Sequence, residues 1–192
     1  MKALFIRCYG KLTADMMIGG LIDMGVPPVY LKSKLKDAGL PDNFIEKPNP
    51  KAQISAHYFH IPPYGDKPLL LKQADLFRIW KDICSKGAPE WEETGWKVFS
   101  ALTAGVSCAI DEIPADVVDL RRAGVSEENL ISLYLFLACL DYLEVETLFT
   151  SPFTISKGKT EKGKSSAAIL TDAVSTVGKE VPAEDVDPFA AA

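Results

Sequence analysis

The chain has 192 residues, 47% of them hydrophobic and 24% charged, and carries a net charge of −5. That length suits one domain with a core large enough to stand without disulfide staples. The acidic balance argues against a nucleic-acid or membrane-surface protein, and the most apolar stretch, Leu130–Leu143, falls short of the ~20 residues that cross a bilayer.

Read from the N-terminus, Ala3–Cys8 is a short apolar run that predicts a buried strand. The opening run is too short for a signal-peptide core and lacks a small-residue cleavage site. A turn over Gly10–Thr13 follows, with Thr13 placed to cap a helix and Asp15 in its first turn, where a carboxylate is favoured. Met16, Met17, Leu21 and Met24 recur at helical spacing and predict the buried face, and Gly25 ends the helix. Pro28 opens a second helix with Leu31, Leu35 and Ala38 on one face, stopped by Gly39.

Prolines at 41, 48 and 50 predict loop. Ala52–Ile61 reads as a strand that turns His57, Phe59 and Ile61 to one side and Tyr58 and His60 to the other. Helices are expected at about 74–85 and 89–109, then a turn at Asp111–Pro114. Val125–Glu144 predicts the longest helix, with Ser126 as N-cap, apolar on nearly every face and therefore covered on most sides. Val145–Phe149 reads as a strand. Strand–helix–strand at both ends favours an α/β fold, a mixed sheet with helices packed against it. One domain is expected over 1–177, with a frayed polar tail from 178 to 192.

Four cysteines, Cys8, Cys84, Cys108 and Cys139, are widely spaced in apolar stretches with no CxxC pair. They read as reduced, buried thiols of a cytoplasmic protein. The two histidines, His57 and His60, stand three apart on a strand, hence on opposite faces, and cannot share one metal without a bend. His60 is the candidate metal ligand, with Asp15 or Asp75 as its partner. Thr13 and Asp15 occupy a strand-to-helix turn, where open α/β sheets bind ligands. Arg121 and Arg122 offer guanidinium forks that match phosphate oxygens. Gly158 to Ser165 fits G-x-x-x-x-G-K-[ST], in which Gly158 and Gly163 would shape the loop, Lys164 would reach outer phosphates and Ser165 would hold magnesium.

The opening RCYGKLTADMMIGGLIDMGVP resembles a signature that reads DCFSGISGDM and then LGALxDLGVP, through Cys8, Tyr9, Asp15, Met16, Gly19, Leu21, Asp23, Gly25, Val26 and Pro27. A second block, ACLDYLEVETLFTSPFTISKG, resembles ICLDxLGVxxVYSSPxPLGSG through Cys139, Leu140, Asp141, Leu143, Val145, Ser151, Pro152 and Gly158. Both are blocks of the LarC-type nickel-insertion family, and the resemblance covers about residues 1–158. It implies nickel insertion into a pyridinium dithiocarboxylate mononucleotide, with CTP and magnesium. Thr13, Asp15 and Asp75 would be retained polar groups, and Arg121, Arg122 and Lys164 phosphate contacts. A small phosphorylated ligand and a protein partner in cofactor assembly would follow, with no nucleic acid and no membrane.

Two strips depart from the family. Its histidine-rich stretch before a helix is here Leu71-Lys72-Gln73-Ala74-Asp75, and its HFHEVGAVDS is here Asp119 to Glu128 with Arg121 and Arg122 in place of metal-friendly groups. Three readings are open: a divergent nickel-insertion protein, a non-catalytic paralogue that serves as scaffold or partner-binding protein, and a small phosphate-binding module built on the 158–165 loop.

Overall fold

A computed structural model describes residues 1–7, 12–48, 56–63, 72–109, 119–123, 125–151, 154–156, 159–160, 163–164 and 179–181. Its elements in chain order are β1 (Ala3–Ile6), α1 (Ala14–Asp23), α2 (Pro28–Asp37), β2 (Ile45–Pro48), β3 (His57–His60), α3 (Gln73–Gly87), a 3-10 turn at Pro89–Trp91, α4 (Glu92–Ala109), a 3-10 turn at Leu120–Ala123, α5 (Glu127–Tyr142) and β4 (Thr147–Thr150). Four short strands complete the list: β5 (Thr154–Ser156), β6 (Lys159–Thr160), β7 (Gly163–Lys164) and β8 (Lys179–Val181). The expected α/β class holds, with helices packed against mixed strands.

Among the described residues the strands occur in pairs. β1 and β4 run parallel with Leu4 opposite Leu148 and Phe5 opposite Phe149. β2 and β3 run antiparallel with Ile45 opposite His60 and Pro48 opposite His57. The strand over Ile45–Pro48 was expected to be loop. Its proline stands at the last ladder position, where a missing N–H costs least. The expected strand from Ala52 begins only at His57 among the described residues, and 52–55 lie outside them.

The helix ends follow their capping residues. Thr13 Oγ1 accepts the Met16 N–H at 3.2 Å, which satisfies one orphan donor of α1. Gly25 and Gly39 take φ of +110° and +69°, the left-handed turns that close α1 and α2. Ser126 opens α5, and the Asn129 carboxamide oxygen accepts the Ser126 N–H at 2.7 Å. At the other end of α5, Glu144 takes φ +55°. That position carries glycine in the resembling motif.

The core gathers where α5 meets the other helices. Leu130, Tyr134, Leu135, Ala138 and Cys139 are buried around α5, as its all-round apolar sequence requires. Trp80 lies fully buried against Phe99 and Tyr134, and its indole N–H donates to the Trp91 carbonyl at 3.2 Å. Gly95 lets α4 approach the Trp80 ring, because a Cβ there would overlap it. No helix among the described residues is long and apolar enough to cross a membrane.

Three expectations change. The buried face of α1 is Ala14, Ile18, Gly19, Leu21 and Ile22, while Met16 and Met24 are more than half exposed. Both sets fit a 3.6-residue repeat, and packing against α5 and β3 selects the set that carries Ile18, Gly19 and Ile22. Among the described residues α4, with 18 residues, is longer than α5, with 16, which was expected to be the longest helix. Of the expected tail, Lys179–Val181 form β8, paired in parallel with β5, and the rest lies outside the described residues.

Candidate functional site

Helix α1 and strand β3 lie against each other so closely that a Cβ on Gly19 would sit 2.6 Å from the His57 carbonyl oxygen. Only glycine allows that approach. The seam carries both histidines of the chain, each paired with an aspartate of α1. At one end His60 Nδ1 lies 3.1 Å from Asp15 Oδ2. At the other, His57 Nδ1 lies 2.7 Å from Asp23 Oδ1, and Asp23 Oδ2 accepts the His57 backbone N–H at 3.0 Å. The far ring nitrogen of His57 lies 3.3 Å from Glu46 Oε1 on β2.

The histidines therefore sit on different partners, as their strand spacing requires. Of the two candidate partners for His60, the structure selects Asp15. Asp15 stands in the first turn of α1, beside the Thr13 cap and within the field of the helix N-terminus. Both Asp15 and His60 side chains are partly exposed, so solvent and ligands reach them. On another face of α1 an apolar groove of about 200 Å³ is lined by Leu4, Ile6, Leu12, Met16, Met24 and Phe136; neither Asp15 nor His60 lines it. The methionines expected in the core thus line an open surface groove.

The other predicted site residues are placed elsewhere. Asp75 is at the N-terminus of α3, where its carboxylate accepts the Lys72 N–H at 3.2 Å and faces Arg78 at 3.4 Å. It caps its own helix. The Arg121 fork meets both oxygens of Asp119, with Nε to Oδ1 and Nη2 to Oδ2 each at 3.1 Å, so a phosphate would have to displace that carboxylate. Nothing is described of the Arg122 side chain. Gly163 and Lys164 form β7, paired antiparallel with Lys159 and Thr160. The rest of the glycine-lysine pattern, 161–162 and the residues that follow Lys164, lies outside the described residues. Gly158, Ser165, Cys8 and the turn at Asp111–Pro114 lie outside the described residues.

Sequence reasoning passed over Asp23 and Glu46. Asp23 is one of the residues that carry the family resemblance, and its position at the end of a helix ahead of Gly25 gave it the look of a simple terminus. Glu46 gave no sequence signal. Among the described residues no group of three or more His, Cys, Asp or Glu side chains is arranged to hold a metal ion. Among the described residues, the pair offers one imidazole and one carboxylate.

Fold and site together define a layered α/β protein with an acid–imidazole pair at a strand–turn–helix. A family model described as nickel insertion protein matches residues 4–192. The chain belongs to that family. A protein named "Putative nickel insertion protein" from Synechococcus sp. (strain JA-3-3Ab) is 27% identical over 85% of this chain and 41% of its own length. A protein of the same name from Geotalea daltonii is 23% identical over 95% of this chain and 46% of its own. The pyridinium-3,5-bisthiocarboxylic acid mononucleotide nickel insertion protein of Clostridium kluyveri is 22% identical over 95% of this chain and 48% of its own. The chain thus spans less than half the length of these relatives. No solved structure matches it.

Proposed function

We propose that this chain hands nickel to a pyridinium-3,5-bisthiocarboxylic acid mononucleotide, with the metal and the mononucleotide both as substrates, and that His60 receives the metal. The observation that carries the reading is the 3.1 Å contact between His60 Nδ1 and Asp15 Oδ2, of which Asp15 belongs to the block that resembles the family. A carboxylate on Nδ1 fixes the ring with its proton there and leaves Nε2 to ligate. Imidazole suits nickel, whereas the arginines of the 119–128 strip cannot ligate at all.

One imidazole nitrogen cannot fill the coordination of nickel. The thiocarboxylate sulfurs of the mononucleotide are soft donors and would complete it. CTP and magnesium belong to the same proposal through the family resemblance.

Calorimetric titration of the full chain with nickel, with and without the mononucleotide, tests the assignment. His60→Gln and Asp15→Asn are expected to weaken nickel binding at least ten-fold in the presence of the mononucleotide. Equal affinities in wild type and both variants would return the chain to a scaffold role.

A further inference from the structure

The second histidine, His57, is held by two carboxylates and through both its backbone and its ring. Asp23 grips His57 twice, through the backbone N–H at 3.0 Å and the ring at 2.7 Å. Such a chelate fixes both the strand backbone and the ring. Glu46 holds the opposite ring nitrogen at 3.3 Å and so adds β2 to the junction. On the β2–β3 ladder Glu46 is opposite Phe59, which makes it a diagonal neighbour of His57 on the same face.

The spacing of the two histidine contacts is matched across the seam. Asp15 and Asp23 are eight residues apart on α1, about 12 Å along a helix axis at 1.5 Å per residue. His57 and His60 are three residues apart on β3, about 10 Å at 3.3 Å per residue. The strand runs antiparallel to the helix, with His60 by the helix N-terminus and His57 by its C-terminus. Both contacts form together in one register only. A one-residue slip would carry His60 about 3.3 Å from Asp15 and turn it to the other face. A two-stranded hairpin has little of its own to prevent that slip, and Gly19 offers a smooth contact without a side chain.

We infer that Asp23 is a positioning residue, which pins β3 through His57 so that His60 is presented to Asp15 in the geometry nickel transfer needs. Its role in nickel transfer rests on the assignment of His60 as the nickel donor; its effect on the His60 ring does not. Glu46 supports the same junction from β2.

Nitrogen-detected NMR of the two imidazoles in the full chain separates these claims. Asp15→Asn supplies the His60 signal of a broken pair. In Asp23→Ala the His60 ring resonances are expected to move toward those values, while circular dichroism reports an intact fold. Asp23→Asn keeps an oxygen for the His57 N–H and is expected to recover most of the wild-type signal. If Asp23→Ala does not fold, His57→Gln replaces it with the same expected shift. His60 resonances that stay at wild-type positions in a folded Asp23 or His57 variant would overturn the positioning role. Nickel addition to the wild type is read separately, so a His60 ring that ignores nickel removes the transfer reading and leaves the positioning result standing. Where nickel does bind, Asp23→Ala is expected to weaken it about ten-fold.

Discussion

Gly19 and Gly20 stand side by side on α1, and the surroundings of each decide opposite outcomes. Alanine is the better helix former by about 1 kcal/mol at either position. At Gly20 no described residue lies within 4 Å of an added Cβ, so Gly20→Ala is expected to stabilise by about 0.5–1 kcal/mol. At Gly19 the same methyl would meet the His57 carbonyl at 2.6 Å, and that oxygen is backbone. Gly19→Ala is therefore expected to destabilise by about 1–3 kcal/mol and to disturb the His60–Asp15 contact. Urea unfolding of the two variants checks both signs. A stabilising Gly19→Ala would mean that helix and strand are not in contact as described.

Among the elements, the ends of helices were the most legible features of the sequence. Thr13, Gly25, Pro28, Gly39 and Ser126 each act through their immediate neighbours, and each performs the capping or turning role expected of it. What was not legible depends on contacts between distant segments. The burial of Ile18 rather than Met16 is settled by β3 and α5, not by the period. His60 could be singled out, but choosing Asp15 over Asp75 needed the fold, and the Asp23–His57–Glu46 junction joins residues up to 34 apart. Glu144 shows how a local rule can be broken at small cost. It takes a left-handed φ of +55° at the end of α5, and its exposed ion pair with Lys2 gives little in return. Glu144→Gly is expected to raise stability by about 0.5–1 kcal/mol in the same urea assay. A loss of stability would show that the Lys2 pair matters more than the strain.

The whole molecule keeps ionisable groups in its core, and that sets its response to alkali. Burial pushes the Cys139 thiol up to about 12, and burial with the charges of Glu92 and Glu90 does the same to Cys84. Burial raises Tyr134 to about 12 as well. An unfolded thiol titrates near ~8.5, so between there and about 12 the unfolded chain has lost protons that the folded chain keeps. Stability then falls as pH rises, by on the order of 1 kcal/mol per pH unit for each thiol. The urea midpoint is expected to drop steadily from pH 8.5 to 11, and less steeply in Cys139→Ala. A flat profile would place these thiols in contact with water. Below that range the same burial keeps both thiols poor nickel ligands, because the thiolate is the binding form.

The central claim is that nickel meets His60 and the sulfurs of the mononucleotide at the N-terminal end of α1. X-ray absorption at the nickel edge, on the full chain with nickel and the mononucleotide, reads those neighbours directly. The account predicts one imidazole together with sulfur scatterers in wild type, and loss of the imidazole in His60→Gln. A nickel shell without imidazole, or one unchanged by His60→Gln, would contradict it.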